Sequence, residues 1–144
     1  MTAAPTVSTT CLFCRIIAHE VPAFVVIEEP DFVAFLDHRP LFFGHTLVAP
    51  RRHIETLLDL PAADVGPYFA SVQRITAAVT EAMDASGTFV AMNNVVSQSV
   101  PHLHVHVVPR RPKDGLRGFF WPRTKYDSDD DAKAAAAAVR GALA

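Results

Sequence analysis

Pro101-His102-Leu103-His104-Val105-His106-Val107-Val108-Pro109 is the stretch on which the reading of this chain turns. Three histidines alternate with apolar residues between two prolines. On a strand, side chains point to opposite faces with period two. His102, His104 and His106 then share one face, with neighbours roughly 6.5–7 Å apart along the backbone. Leu103, Val105 and Val107 share the other face, which suits a core. The imidazoles are left in a row over a cleft. One histidine on a strand is usually structural, but three in strict alternation cost stability and point to chemistry. Two chemistries fit. A pair of imidazoles on one face chelates a metal in metal-dependent hydrolases. Alternatively, one imidazole is a nucleophile toward phosphorus and a neighbour shares the charge handling. Neutral imidazole is available near pH 7, because its unperturbed pKa is about 6.5. A backbone carbonyl on the Nδ1 proton would leave the Nε2 lone pair aimed at a substrate. Just upstream, Asn93, Ser97, Gln98 and Ser99 are candidate donors to phosphate oxygens.

Working outward, Phe24–Glu29 and Phe32–Asp37 have strand composition and are joined across Pro30-Asp31, which predicts an antiparallel hairpin. His45–Pro50 is a third strand, stopped by its proline. Thr88–Asn93 is a fourth, and the histidine run is a fifth. The short link between the last two favours antiparallel neighbours. Asp59-Leu60-Pro61 carries helix-start signals, and Gly66-Pro67 is expected to split off a first turn. Tyr68, Val72, Ile75, Val79, Ala82 and Met83 then recur at helical spacing and form one apolar stripe. A short helix is expected over Phe13–Ala18. A C-terminal helix is expected after Ser128-Asp129-Asp130-Asp131, ending near Arg140, with acids and base placed to complement its dipole.

The totals bound the class. At 144 residues the chain suits one domain with a single good core, and half its residues are hydrophobic. A net charge of −2 gives no broad attraction to a nucleic acid polymer or an anionic membrane. No apolar run approaches a membrane span, and the start lacks a secretory signal, so a cytoplasmic protein is expected. Residues 1–10 read as a disordered lead-in. Residues 111–144 read as a tail, with an aromatic cluster at Phe119-Phe120-Trp121 and a helix packing on the domain. In a reducing compartment, Cys11-Leu12-Phe13-Cys14 signals metal or redox chemistry rather than a disulfide.

Taken together, residues 11–110 resemble the histidine-triad (HIT) nucleotide hydrolases and transferases. The triad pattern is met at His102 to Val108, led in by Gln98-Ser99-Val100. Leu36-Asp37-His38-Arg39-Pro40 resembles the family's ribose-binding segment, and Gly44 to His53 resembles its next block. The loop Asn93–Gln98 is about two residues shorter than the family norm, with Ser97 where a glycine is usual. The resemblance implies an α+β fold: a five-stranded antiparallel sheet with one long helix, a short N-terminal helix and a C-terminal helix, paired into a homodimer. His104 would attack the α-phosphorus of a nucleoside phosphoramidate or dinucleoside polyphosphate, giving a covalent nucleotidyl-histidine that water then hydrolyses. His106 would contact the phosphate, and Ser99 would donate to it or assist the leaving group. Asp37 would accept from the ribose hydroxyls with His38 beside the nucleoside. Asn93 and Gln98 would lie near the phosphate, and His45 in the imidazole network behind it. A nucleotide-binding protein with little turnover and a metal-dependent hydrolase using the histidine strand are the other readings.

One branch of that family carries zinc on two cysteines and two histidines, and Cys11, Cys14, His53 and His102 stand at matching positions. Four such ligands close a tetrahedral shell, so the implied zinc is structural, one per chain, and does no hydrolysis. The alternative is two buried free thiols.

Overall fold

The hairpin expected around Pro30-Asp31 is formed by β1 (Val25–Glu28) and β2 (Phe32–Leu36), closed by the Glu29 N–H donating to the Phe32 carbonyl at 2.8 Å. This computed structural model describes residues 7–117 and 123–143. β3 (Thr46–Pro50), β4 (Gly87–Ala91) and β5 (Val105–Arg110) complete a five-stranded sheet in the order β1-β2-β3-β5-β4, with every pairing antiparallel. Helix α1 (Leu12–Ile17) and the long helix α2 (Ala62–Ala82) belong to the same unit, which runs to Asp114. A second unit begins at Gly115 and contains α3 (Asp129–Ala142).

Central strands β2 and β3 are buried on both faces, which is why their apolar runs are nearly continuous. Phe32, Ala34 and Val48 face α2, where they meet Tyr68, Val72, Ile75 and Val79 together with Leu103, Val105 and Val107. Val33, Phe35, Leu47 and Ala49 face the other way, onto Cys11, Phe13, Cys14 and Ile16 of the N-terminal segment. The apolar stripe of α2 and the apolar face of the triad stretch therefore share one core. Because paired residues on neighbouring strands share a face, His106, opposite Leu47, projects to the α1 side.

Two expectations are corrected. The last strand begins at Val105, not at Pro101, so only His106 of the three histidines lies on a paired strand. The register Val48↔Val105 would next bring Pro50 opposite Leu103, and proline has no N–H to continue the ladder. Instead the Leu103 N–H reaches the Ile54 carbonyl at 2.6 Å. Gly66-Pro67 does not split the long helix, which runs unbroken with Pro67 as its sixth residue. The ring removes one bond to the carbonyl of exposed Ala63, where water can serve, while the stripe from Tyr68 onward holds the helix to the sheet. A 3-10 turn, Leu57–Asp59, precedes it, with Asp59 accepting from the Thr56 N–H at 3.1 Å.

In the second unit, Ser128 caps α3 by accepting from the Asp131 N–H at 3.1 Å, with Asp129, Asp130 and Asp131 in the first turn and Arg140 in the last. The cluster Phe119-Phe120-Trp121 lies outside the described residues. At the other end, Cys11 N–H donates to the Ser8 carbonyl at 3.3 Å, forming a turn ahead of α1. Among the described residues no helix is long and apolar enough to cross a membrane.

Candidate active site and metal group

Two clusters of histidine meet at the triad stretch, on either side of His104. The first is a metal group. Cys11 caps α1 and Cys14 lies one turn in, so both sulfurs point to the same end of the helix. His102 Nδ1 is 3.5 Å from Cys11 Sγ and 3.6 Å from Cys14 Sγ, and His53 Nδ1 is 3.4 Å from Cys14 Sγ. A tetrahedral ion with Zn–S near 2.3 Å and Zn–N near 2.1 Å needs sulfur–nitrogen edges of about 3.6 Å. Three sulfur–nitrogen edges match a zinc-sized ion, and all four donors lie within 4.8 Å of one another. Their outer nitrogens also suit ligation. His102 Nε2 donates to the Pro50 carbonyl at 2.7 Å, and His53 Nε2 lies 3.8 Å from a Glu55 carboxylate oxygen. The Pro50 carbonyl fixes the His102 proton outside and turns its Nδ1 lone pair inward. Burial pushes the Cys14 thiol up, with Cys11 beside it adding to the effect, and a cation among the donors reverses that balance.

The second cluster opens on a cleft of about 410 Å³, a size typical of small-molecule sites. Leu12, Phe13, Ile16, Val21, Phe24 and Leu36 make its apolar side, and Asp37, His38, Ser99, His104 and His106 bring polar groups to the other. His104 donates from Nδ1 to its neighbour's carbonyl, His102 O, at 2.7 Å. That leaves its Nε2 as a lone pair. The Phe13 ring packs edge-on against it with centroids 4.9 Å apart, and the His106 ring centroid is also 4.9 Å away. Behind His106 stands His45, whose Nε2 is 2.9 Å from His106 Nδ1 and 3.7 Å from Asp37 Oδ2. Asp37 is held in turn by the Arg39 N–H at 2.9 Å.

Burial sets the charge state. It lowers His104, against the opposing pull of the His102 carbonyl, and lowers His45, against Asp37. His106 is pushed down to about 4, by burial first and then by His104 and His45. At neutral pH all three rings are uncharged, so a free imidazole lone pair is present in the cleft.

Most of the site residues expected from sequence gather around these two centres. His38 is exposed at the rim, 3.9 Å from Asp37 Oδ1. Asn93 and Gln98 do not line the cleft. Asn93 donates to the Ser97 carbonyl at 3.2 Å, and Gln98 donates to Glu55 O at 2.6 Å while accepting from the Val95 N–H at 3.1 Å. Ser97 takes φ +61° and Val95 φ +68°, so the short loop turns in a conformation that glycine adopts more easily. Sequence reasoning missed Phe13, which touches both centres, although its place inside Cys-x-x-Cys was a signal. It also missed the backbone acceptors at His102 and Pro50, for which no residue type is a signal.

Comparison with known proteins decides the family. The HIT domain family matches residues 18–113. This chain belongs to the HIT family. Among HIT relatives, the HIT-like protein Rv1262c of Mycobacterium tuberculosis is 39% identical over 139 residues, 93% of each chain. Adenosine 5'-monophosphoramidase HNT1 of Saccharomyces cerevisiae is 33% identical, over 90% of this chain and 80% of its own. A crystal structure of a HIT family member from Bacillus subtilis superposes with a TM-score of 0.85 at 32% identity, over 94% of this chain and 98% of that one. A Zn-bound histidine triad protein from Mycobacterium smegmatis has a TM-score of 0.71 at 36% identity, over 93% of this chain and 98% of that one. The HIT fold and the HIT family thus stand on both sequence and structure.

Proposed function

We propose that this HIT protein hydrolyses, or transfers, the nucleotidyl group of a nucleoside phosphoramidate or dinucleoside polyphosphate through covalent catalysis at His104. The observation that carries the reading is the 2.7 Å bond from His104 Nδ1 to the His102 carbonyl, which leaves Nε2 unprotonated inside the cleft. In the first step Nε2 bonds to the α-phosphorus and the bond from phosphorus to the leaving group breaks, its electron pair leaving with that group. The imidazolium so formed keeps its Nδ1–H on the carbonyl, which stabilises the charge. His106 donates to a non-bridging phosphate oxygen, and Ser99 assists the leaving group. Water then attacks phosphorus, releases the nucleotide and restores neutral His104. Asp37 accepts from the ribose, with His38 beside the nucleoside and the apolar side of the cleft against the base. Asn93 and Gln98 serve by shaping the loop before Ser99. The activity named for the yeast relative supports a phosphoramidate as first substrate. The test is a panel of adenosine phosphoramidate and dinucleoside polyphosphates, with acid quench and mass spectrometry of the protein. A nucleotidyl group on His104 supports the reading, and turnover with no such adduct in single-turnover samples defeats it.

One structural zinc per chain belongs to Cys11, Cys14, His53 and His102 in this reading, supported by the donor spacing and by the Zn-bound relative. It would cross-link the N-terminal hook to the start of the triad stretch and take no part in the phosphoryl chemistry. A cytoplasmic homodimer completes the proposal. Exposed Val65 and Phe69 on α2 and Val90 on the edge strand β4 supply apolar surface for the pairing, which light scattering would measure.

A further inference from the structure

Asp37, His45 and His106 bring three ligand-type atoms within 4.8 Å of one another, the donor set of an open metal site. One hydrogen bond speaks against that use. The backbone N–H of Leu41 points at His45 Nδ1 with a separation of 3.1 Å. A backbone amide only donates, so His45 Nδ1 accepts and carries no proton. The proton of the neutral ring therefore sits on Nε2, facing His106 Nδ1 at 2.9 Å and Asp37 Oδ2 at 3.7 Å. The nearby carboxylate favours the same arrangement. His106 Nδ1 must then accept, and the proton of His106 sits on its own Nε2.

The geometry points to the Leu41 amide as the group that orients the ring protons of His45 and His106: through His45, a positioning residue, it makes His106 a donor at Nε2 beside the lone-pair Nε2 of His104, whose own proton is held by the His102 carbonyl. The direction runs Leu41 N–H to His45, His45 N–H to His106, and His106 N–H to the cleft. The contrast with the metal group is direct. There the outer nitrogen of His102 donates to an acceptor, so its lone pair points inward; here the outer nitrogen of His45 faces a donor, so N–H points inward. One chain thus keeps two histidine clusters apart chemically by what the backbone and its neighbours offer their far sides. The cleft holds a donor and a lone pair side by side, which suits a tetrahedral phosphorus with its charged oxygens, and it disfavours a metal ion at His45. That His106 meets a phosphate oxygen rests on the function proposed above; the proton positions do not.

The test reads proton positions directly. In the intact chain with its zinc bound, long-range nitrogen–proton spectra of uniformly ¹⁵N-labelled protein at neutral pH should show His45 and His106 as Nε2–H and His104 as Nδ1–H. Leu41→Pro removes the amide proton, and in it His45 and His106 should lose that pattern. Leu41→Ala keeps the amide and changes only an exposed side chain, and should retain it. His45 found as Nδ1–H or doubly protonated in the native chain overturns the assignment, whether or not the proline variant folds. A pattern unchanged in Leu41→Pro overturns the role of the amide. Dialysis against Zn²⁺ should add no ion beyond the structural one; a second ion lost in Asp37→Asn would make the cluster a metal site after all. None of these measurements uses turnover, so their failure is distinct from failure of the proposed activity.

Discussion

His104 is bonded through Nδ1 to the carbonyl of His102, two residues behind it, at 2.7 Å, so the backbone of one triad member orients the ring of the next. His104→Asn removes the nucleophile and leaves the apolar wall and Asp37 in place. The expected result is loss of turnover by at least about a thousandfold with nucleotide binding retained. Stopped assays with adenosine phosphoramidate and calorimetry with AMP separate the two. Turnover near the native rate would remove His104 from its role.

Metal analysis of the native protein should find one zinc per chain. Stripping it, or Cys14→Ser, should lower the melting temperature on the order of 10 °C, because metal affinity is folding energy where the ligands come from distant segments. Scanning calorimetry with and without chelator measures this. A zinc-free native protein of unchanged stability would contradict it.

Gly44 has φ +93°, and a Cβ there would lie 2.5 Å from Met83 Cγ. Gly44→Ala should destabilise the fold by about 1–3 kcal/mol, since the backbone is strained for any other residue and the methionine must also move. Urea unfolding would show the midpoint falling. His45 follows immediately, so the same variant should disturb the tautomers of the cleft as well.

Tyr68 is completely buried against the sheet, and its hydroxyl donates to the Val48 carbonyl at 2.7 Å. Tyr68→Phe should cost about 1 kcal/mol, the net worth of one buried hydrogen bond. Equilibrium denaturation should show this with little change in activity, because Tyr68 sits on the face of the sheet opposite the cleft.

Much of the fold was legible in side-chain pattern. The alternation at Leu103, Val105 and Val107 named a core face, and the stripe from Tyr68 to Val79 named its partner. The metal donors were legible as residue types through the family likeness, because cysteine and histidine are visible in a sequence. What stayed hidden was set by backbone. The start of β5 depends on Pro50 lacking a donor at the place Leu103 would need one, a relationship between strands. The polarity of His45 depends on an amide whose own side chain, Leu41, is exposed and unremarkable. Asn93 and Gln98 read as phosphate donors by type, yet the short loop uses their hydrogen bonds on itself and on Glu55.

Phe13 sits between the two cysteines in sequence, and its ring lies against both His102 and His104, with centroids 5.9 and 4.9 Å away. A protease that nicks the chain just beyond Cys14 would thus detach the clamp for the ion and the wall of the nucleophile in a single event. The sensitivity of both histidine clusters to digestion is concentrated in the four residues Cys11 to Cys14, far in sequence from the histidines they shelter.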